Sequence, residues 1–463
     1  MTTHSSIYPE GDGTPSSTSS AIFENDQIND QIDRSPLLGD SIDVEVESTY
    51  EERIGIASRF SCMINLANTI LGTGMLAMPA AVASVGLLLG SMMIIFAATT
   101  SGLGLYFLSR SATHTDGRNS SFFAISKLTY PSAALLFDAA IAIKCFGVAV
   151  SYLIIVGDLM PQVINGSLGF SNEYSIFMDR RFWITAFMFI IIPLAFLKKL
   201  DSLRHTSFIA IVAVIYLVFI VIYHYFGPDY KAPPKEKIHL IKISTKFFTN
   251  LPIFIFAFTC HQNIFSIYNE LVDNSQTNIN NVVTGAIGTT TTIYQIIGLL
   301  GYLSFGDDVL PNVISMYETN VFVTIGRIAF VICILFSYPL QAHPARACLD
   351  KIFSFKSNST NGYIKLSSPE TLNIKFIILT SGILISSYTI AILVSKLDLV
   401  LAFVGSTGST IISFILPGLF YYKIHENDPW DRKKILAACL TFYGLCVMTI
   451  CLTLNIVKVY SAK

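Results

Sequence analysis

The chain has 463 residues, of which 52% are hydrophobic and 13% charged, with a net charge of −1 and a mean hydropathy of +0.58. Soluble domains average about 45–50% apolar and about 25% charged residues, so the composition disfavours a soluble enzyme and points to a polytopic membrane protein. There is no long basic run, which argues against a nucleic-acid partner, and no cationic start with a short apolar core, so no cleaved signal peptide is expected.

Residues 1–52 hold 12 of the 31 acids and are rich in Ser and Thr. They lack apolar periodicity, so 1–54 is predicted to be a disordered, acidic cytosolic tail. Inside it stands Asp33-Arg34-Ser35-Pro36-Leu37-Leu38. An acid followed at this spacing by two leucines is the form of a sorting signal read by a clathrin-adaptor complex. A basic patch would take Asp33 and an apolar slot Leu37 and Leu38. Chance occurrence in an acidic tail is the competing reading.

A membrane helix needs about 20 mostly apolar residues. Eleven segments qualify: 57–83, 85–108, 132–160, 182–197, 205–226, 247–271, 282–304, 321–345, 373–395, 398–421 and 434–456. The fourth is the shortest. No alternating strand pattern is present, so the fold class is all-α and eleven transmembrane helices are predicted. With the N-terminus cytosolic, 18 Lys and Arg residues fall on the cytosolic side and 10 on the other, which fits the positive-inside rule. The basic 227–246 loop dissents. An odd span count leaves the C-terminus lumenal. None of the eight cysteines lies in a lumenal loop, so no disulfide framework is expected. Of three Asn-x-Ser/Thr sequons, only that at Asn165 falls on the lumenal side, close to the membrane.

Span 1 carries Gly72, Gly74 and Pro79 within an apolar run, and all three weaken a helix interior. Span 6 carries a polar run, Thr259-Cys260-His261-Gln262-Asn263, at its midpoint. Five consecutive residues point all round a helix, so lipid cannot be their only neighbour. Unwound backbone is tolerated at membrane depth only where it lines a cavity or ligand. Two broken helices five spans apart point to an inverted-repeat transporter with a midplane site. Repeat one is 57–226, repeat two 247–421, span eleven 434–456, within a transporter domain of 55–458. Half-helix N-termini favour a carboxylate and freed carbonyls an ammonium. An amino acid carries both. Gly72, Thr73, Gly74 and Met75, with Phe258, Thr259, Cys260 and His261, would bind it through the main chain.

Four strings carry a family resemblance: NLANTILGTGMLAMP at 65–79, AFTCHQNIFSIYNEL at 257–271, GRIAFVICILFSYPLQAHPAR at 326–346 and GSTGSTIISFILPGLFYYK at 405–423. Together they resemble the amino acid/auxin permease family, and within it the fungal vacuolar amino acid transporters. The resemblance extends to the animal sodium-coupled neutral amino acid transporters. It implies a 5+5 inverted repeat plus one extra helix, with the substrate between spans 1 and 6. It implies secondary active transport of amino acids, run on the proton gradient in the fungal vacuolar members. In the sodium-coupled relatives the ion lies between spans 1 and 8, where Asn68 and Ser337 stand here. Proton coupling is favoured and sodium stays open. The loops, span 3 and the tail are not matched and carry nothing over on selectivity.

Charges inside spans are functional candidates. Asp138 and Lys144 lie on span 3 but about 240° apart around it, so each needs another partner. Asp138 is a candidate for ion coupling. Arg327, near the lumenal end of span 8, would snorkel or pair with Asp307 or Asp308, and Glu270 would be solvated at the interface. His261 is the one histidine deep in a span. An ordinary imidazole titrates near ~6.5, so it suits proton coupling, or it holds the break by hydrogen bonds. No metal-ligand cluster, Ser-His-Asp set or Walker loop occurs, and no cofactor or enzymatic activity is expected. The 405–410 run of Gly, Ser and Thr suits close helix packing. The sequence therefore reads as a proton-coupled exporter of amino acids from the vacuole. The alternatives are an amino-acid sensor signalling through its tail and a sodium-coupled symporter of the plasma membrane. The partners are the amino acid, H+ or Na+, lipid and an adaptor complex.

Overall fold

Long apolar runs leave the backbone no polar partner but itself, and the described part of the chain responds chiefly with helix. The computed structural model describes residues 55–461 except Asp116, 169–175, 198–205, Asp229 and 361–368. Asp33, Leu37 and Leu38 lie outside the described residues. Among the described residues there is no strand, only an isolated parallel bridge between Ala57 and Leu271.

The helices are α1 (Arg59–Ile70), α2 (Gly74–Ala83), α3 (Leu87–Ala112), α4 (Phe122–Thr129), α5 (Ala134–Leu168), α6 (Arg180–Ala195), α7 (Thr206–Phe226), α8 (Lys246–Ala257), α9 (Ile264–Glu270), α10 (Gln276–Phe305), α11 (Val321–Thr360), α12 (Pro369–Leu393), α13 (Leu397–Val404), α14 (Leu416–Ile424) and α15 (Arg432–Ser461). Local signals set their starts. The Ser58 hydroxyl accepts from Ser61 N at 3.2 Å to cap α1, and Asp179 accepts from Arg181 N at 2.8 Å to cap α6. Gly86, at φ 90°, turns the chain into α3.

Nine helices among the described residues are long and apolar enough to cross a membrane, or ten with the bent pair α1–α2 counted as one. The predicted span outside this number is the fourth, α6, a helix of only 16 residues. The helices divide by surroundings. The α5 and α8–α9 spans have 83% of their apolar windows buried, whereas α7, α12 and α15 have 28%. The first group is the core and the second the lipid-facing shell, with Ile215, Ile378 and Phe442 turned outward. Between helices, α5 lies along α11, α3 along α10, α2 against α8 and α6 against α12.

Span 10 departs from the expected plain helix. Between α13 and α14 the chain makes two π-helical segments, Gly405–Ser409 and Ile411–Ile415. The Thr410 hydroxyl donates to Gly405 O at 2.6 Å across five residues. The small residues do permit close packing, since a side chain at Gly408 would meet Ala140 O at 2.6 Å.

The dissenting basic loop has its own acids. Lys242 pairs with Asp307 at 2.6 Å, His239 lies 3.3 Å from Asp307, and Lys237 pairs with Asp308. Arg327 therefore does not take these carboxylates. Only 1% exposed, it donates to Ile314 O at 3.3 Å, Thr319 Oγ1 at 2.9 Å and Tyr317 O at 2.7 Å, and so pins the loop before its own helix.

Candidate functional site

The first break opens where the sequence placed it, one step early. α1 ends at Ile70 and α2 restarts at Gly74, bent by 57°. Leu71 has left helical geometry at ψ 84°. Met75 is already helical, its N–H donating to Gly72 O at 3.2 Å. The two glycines act differently. A side chain at Gly72 would meet nothing within 4 Å, whereas one at Gly74 would meet Ala257 Cα at 2.8 Å. Gly72 faces open space, and Gly74 lets the start of α2 press on the end of α8.

The second break runs from Phe258 to Cys260 and is followed by a 3-10 turn, His261–Asn263, before α9. It is a gap without a sharp bend, since α1–α2 alone among the described residues bends by more than 40°. Phe258, Thr259, Cys260 and His261 are all buried.

Hydroxyl groups from neighbouring helices bind these gaps together. Tyr294 of α10 places its Oη 2.6 Å from Ile70 O and 3.0 Å from Ala257 O, the last carbonyls of α1 and α8. Ser101 of α3 donates to Phe258 O at 2.8 Å, and its own carbonyl lies 3.1 Å from His261 Nε2. A carbonyl only accepts, so Nε2 carries a hydrogen. The other ring nitrogen, Nδ1, lies 3.1 Å from Ser413 Oγ in the second π segment. Gly104 makes room for this histidine, because a side chain there would come within 2.7 Å of Nε2. Thr73 meets Ser151 of α5 at 3.1 Å. The sequence reading missed Tyr294, Ser101, Ser151 and Ser413; Ser101 and Gly104 stand three positions apart, on one face of α3.

The remaining candidates are scattered. Asn68 lies half-buried on α1, one turn before Gly72. Ser337 on α11 has its Oγ 3.9 Å from Cys333 Sγ. Asp138 is buried and finds its partner in Lys351 of α11, at 3.8 Å, near the start of α5 rather than at the breaks. Lys144 is 3% exposed. Among the described residues no carboxylate pairs with it.

One end of the two broken spans is sewn shut. Ala57 N donates to Glu270 O at 2.8 Å and Val272 N to Ala57 O at 3.0 Å. Arg118, in the loop after α3, donates to Asn269 O at 3.1 Å, to Leu271 O, and to Val272 O at 2.8 Å. An arginine on the last carbonyls of α9 completes that helix end. At the opposite end a cavity of about 550 Å³ opens beside Ala80, Ser84, Lys246, Asp398 and Lys458, and neither Gly72 nor Phe258 lines it. Among the described residues no group of three or more His, Cys, Asp or Glu is placed to hold a metal ion.

Residues 56–461 match the family model described as "Transmembrane amino acid transporter protein". The chain belongs to this transmembrane amino acid transporter family. It is 44% identical to vacuolar amino acid transporter 5 of Schizosaccharomyces pombe, over 88% of this chain and 96% of that protein. It is 37% identical to vacuolar amino acid transporter 6 of Saccharomyces cerevisiae, over 86% and 98%. Its fold is similar to the crystal structure of MhsT in complex with L-phenylalanine. That match has a TM-score of 0.56 at 14% identity and covers 87% of this chain and 100% of that one.

Proposed function

We propose that this chain is a secondary active transporter that moves amino acids across the vacuolar membrane, exporting them to the cytosol with protons. The observation that carries this reading is the meeting of the two breaks: the end carbonyls of α1 and α8 converge within 3.0 Å of one hydroxyl. Carbonyls that have lost their helical partners attract an ammonium. The start of α2, the positive end of its helix dipole, attracts a carboxylate. An amino acid is the small solute that answers both.

The spans read as a 5+5 inverted repeat with one helix appended. Spans 1 and 6, 2 and 7, 3 and 8, and 4 and 9 each pack against their counterpart, which supports the repeat, with α6 taken as the short fourth span. In this reading the Ala57–Arg118–Leu271 closure is the cytosolic gate and the N-terminus is cytosolic. Gly72, Thr73, Gly74, Phe258, Thr259 and Cys260 hold the substrate, and His261 is the first candidate to carry the proton. Asn68 and Ser337 are the pair to test for sodium. The vacuolar membrane fits the names of the two fungal relatives. Counterflow in proteoliposomes, run over twenty amino acids with and without a pH gradient, tests the reading. Flux of one or more amino acids, driven uphill by an acid lumen, is the expected result. No flux under either condition overturns it.

A further inference from the structure

Two carbonyls share one donor at the point where the broken spans meet. Tyr294 Oη sits 2.6 Å from Ile70 O and 3.0 Å from Ala257 O, and a phenol has a single hydrogen. Both carbonyls are at helix C-termini, where the dipole leaves a partial negative charge of about half a unit. The tyrosine is fully buried and its ring is held edge-on by Phe258, with centroids 5.0 Å apart at 82°. The site is thus one hydrogen short and negatively biased, while its donor cannot swing away into solvent.

We propose that the Tyr294 hydroxyl stands in for the substrate's ammonium in the empty carrier, and that the ammonium displaces it from at least one of these carbonyls on binding. This rests on the reading of the breaks as the amino-acid site. An ammonium brings three N–H donors and a full charge. Charge-assisted hydrogen bonds are about twice as strong as neutral ones, so the ammonium wins the carbonyls that the phenol held. The phenol also keeps the two half-helices together while no substrate is present. A solute without an ammonium leaves the phenol in place. Tyr294 is therefore a specificity-determining residue: it sets a threshold that an amine crosses and a plain carboxylic acid does not.

The test is Tyr294→Phe, which keeps the ring on Phe258 and removes only the hydroxyl. In amino-acid counterflow its KM should fall by about threefold to tenfold, the worth of one neutral hydrogen bond that no longer has to be displaced. Replacing Tyr294 by 3-fluorotyrosine keeps the shape and strengthens the donor, so KM should rise. This second variant stands if the phenylalanine form is poorly expressed. An unchanged or raised KM in Tyr294→Phe at normal abundance, or a lowered or unchanged KM with fluorotyrosine, overturns the inference. Wild-type protein that moves no amino acid at all overturns the transport reading instead, so the two failures are separable.

Discussion

The side-chain amide of Asn263 donates to the Thr69 hydroxyl across 2.8 Å, joining the last turn of α1 to the turn that begins α9. Thr69 passes its own hydrogen to Asn65 O at 3.0 Å, so the bond is satisfied at both ends. Together with the Ala57 and Arg118 contacts it makes α1 and α9 one body on that side of the gaps. On the other side, Gly74 against Ala257 does the same for α2 and α8. Each broken span is thereby bonded to the other span above its gap and below it, while the gaps themselves are bridged by shared hydroxyls. Such a construction lets the two sides move about the gaps without parting the spans.

Removing Arg118 should loosen the closed end. Its guanidinium satisfies three carbonyls at the end of α9, and hydrogen bonds to a charged group contribute about 1.5–3 kcal/mol each. Arg118→Ala is expected to shift the population toward the form open at this end by at least ~10-fold. The buried Cys62 on α1 reports it: in a background lacking the other cysteines, its rate of labelling by an impermeant maleimide should rise about tenfold. Arg118→Lys, one point charge in place of a fork, should fall between. Equal labelling in all three forms would place the gate elsewhere.

Gly72 and Gly74 should separate in their effects. Valine at Gly72 enters open space at the break, so the protein should fold to normal abundance and lose transport through a KM raised about tenfold or more. Valine at Gly74 collides with the α8 backbone, and overpacking of this kind costs about 1–3 kcal/mol or more. That variant should be recovered in lower amount. Quantifying abundance alongside initial rates distinguishes the two. Normal transport by Gly72→Val would remove Gly72 from the substrate path.

The helical class and the place of both breaks were legible because they depend on composition along the chain: apolar length, then Gly-x-Gly or a polar run inside it. The partners were not legible, because a partner is set by which helices pack together. Asp138 meets Lys351, 213 positions away, and Lys242 meets Asp307 across 65. Arg327 was assigned to acids that the 227–246 loop had already taken. Tyr294 and Ser413 carry no signature of their own, being single hydroxyls in apolar or Thr-rich spans. Their meaning comes only from the carbonyls and ring nitrogen that they face. The fourth span is the weakest part of the count because α6, at 16 residues, is at the lower limit of what can cross a bilayer.

The tail makes its own prediction. If Asp33, Leu37 and Leu38 form a sorting signal, Leu37→Ala with Leu38→Ala should move a tagged protein from the vacuolar membrane to the cell surface or an earlier compartment. Flux through the transporter domain should be unchanged in proteoliposomes. Vacuolar fluorescence identical to wild type would mark the string as a chance match or a redundant one.

His261 is placed so that it can hold a second proton without losing a bond. Nε2–H donates to Ser101 O at 3.1 Å in either charge state. When the ring is neutral, Ser413 donates to Nδ1 at 3.1 Å. When Nδ1 is protonated, it donates to Ser413 Oγ, which then turns its hydrogen to Thr259 Oγ1 at 3.3 Å. Thr259 already donates to Ile255 O at 2.7 Å and is free to accept. A proton gained by the ring is thus answered by a turn of the Ser413 hydroxyl toward Thr259. His261→Gln keeps hydrogen bonding but does not titrate. It should retain exchange of amino acid for amino acid and lose accumulation driven by a pH gradient. Ser413→Ala, which removes the partner of Nδ1 and leaves the ring, should reduce the same accumulation while sparing exchange. A transport profile against lumenal pH that is the same in wild type and His261→Gln would take the histidine out of the proton path and leave it as a tie between α3 and the break.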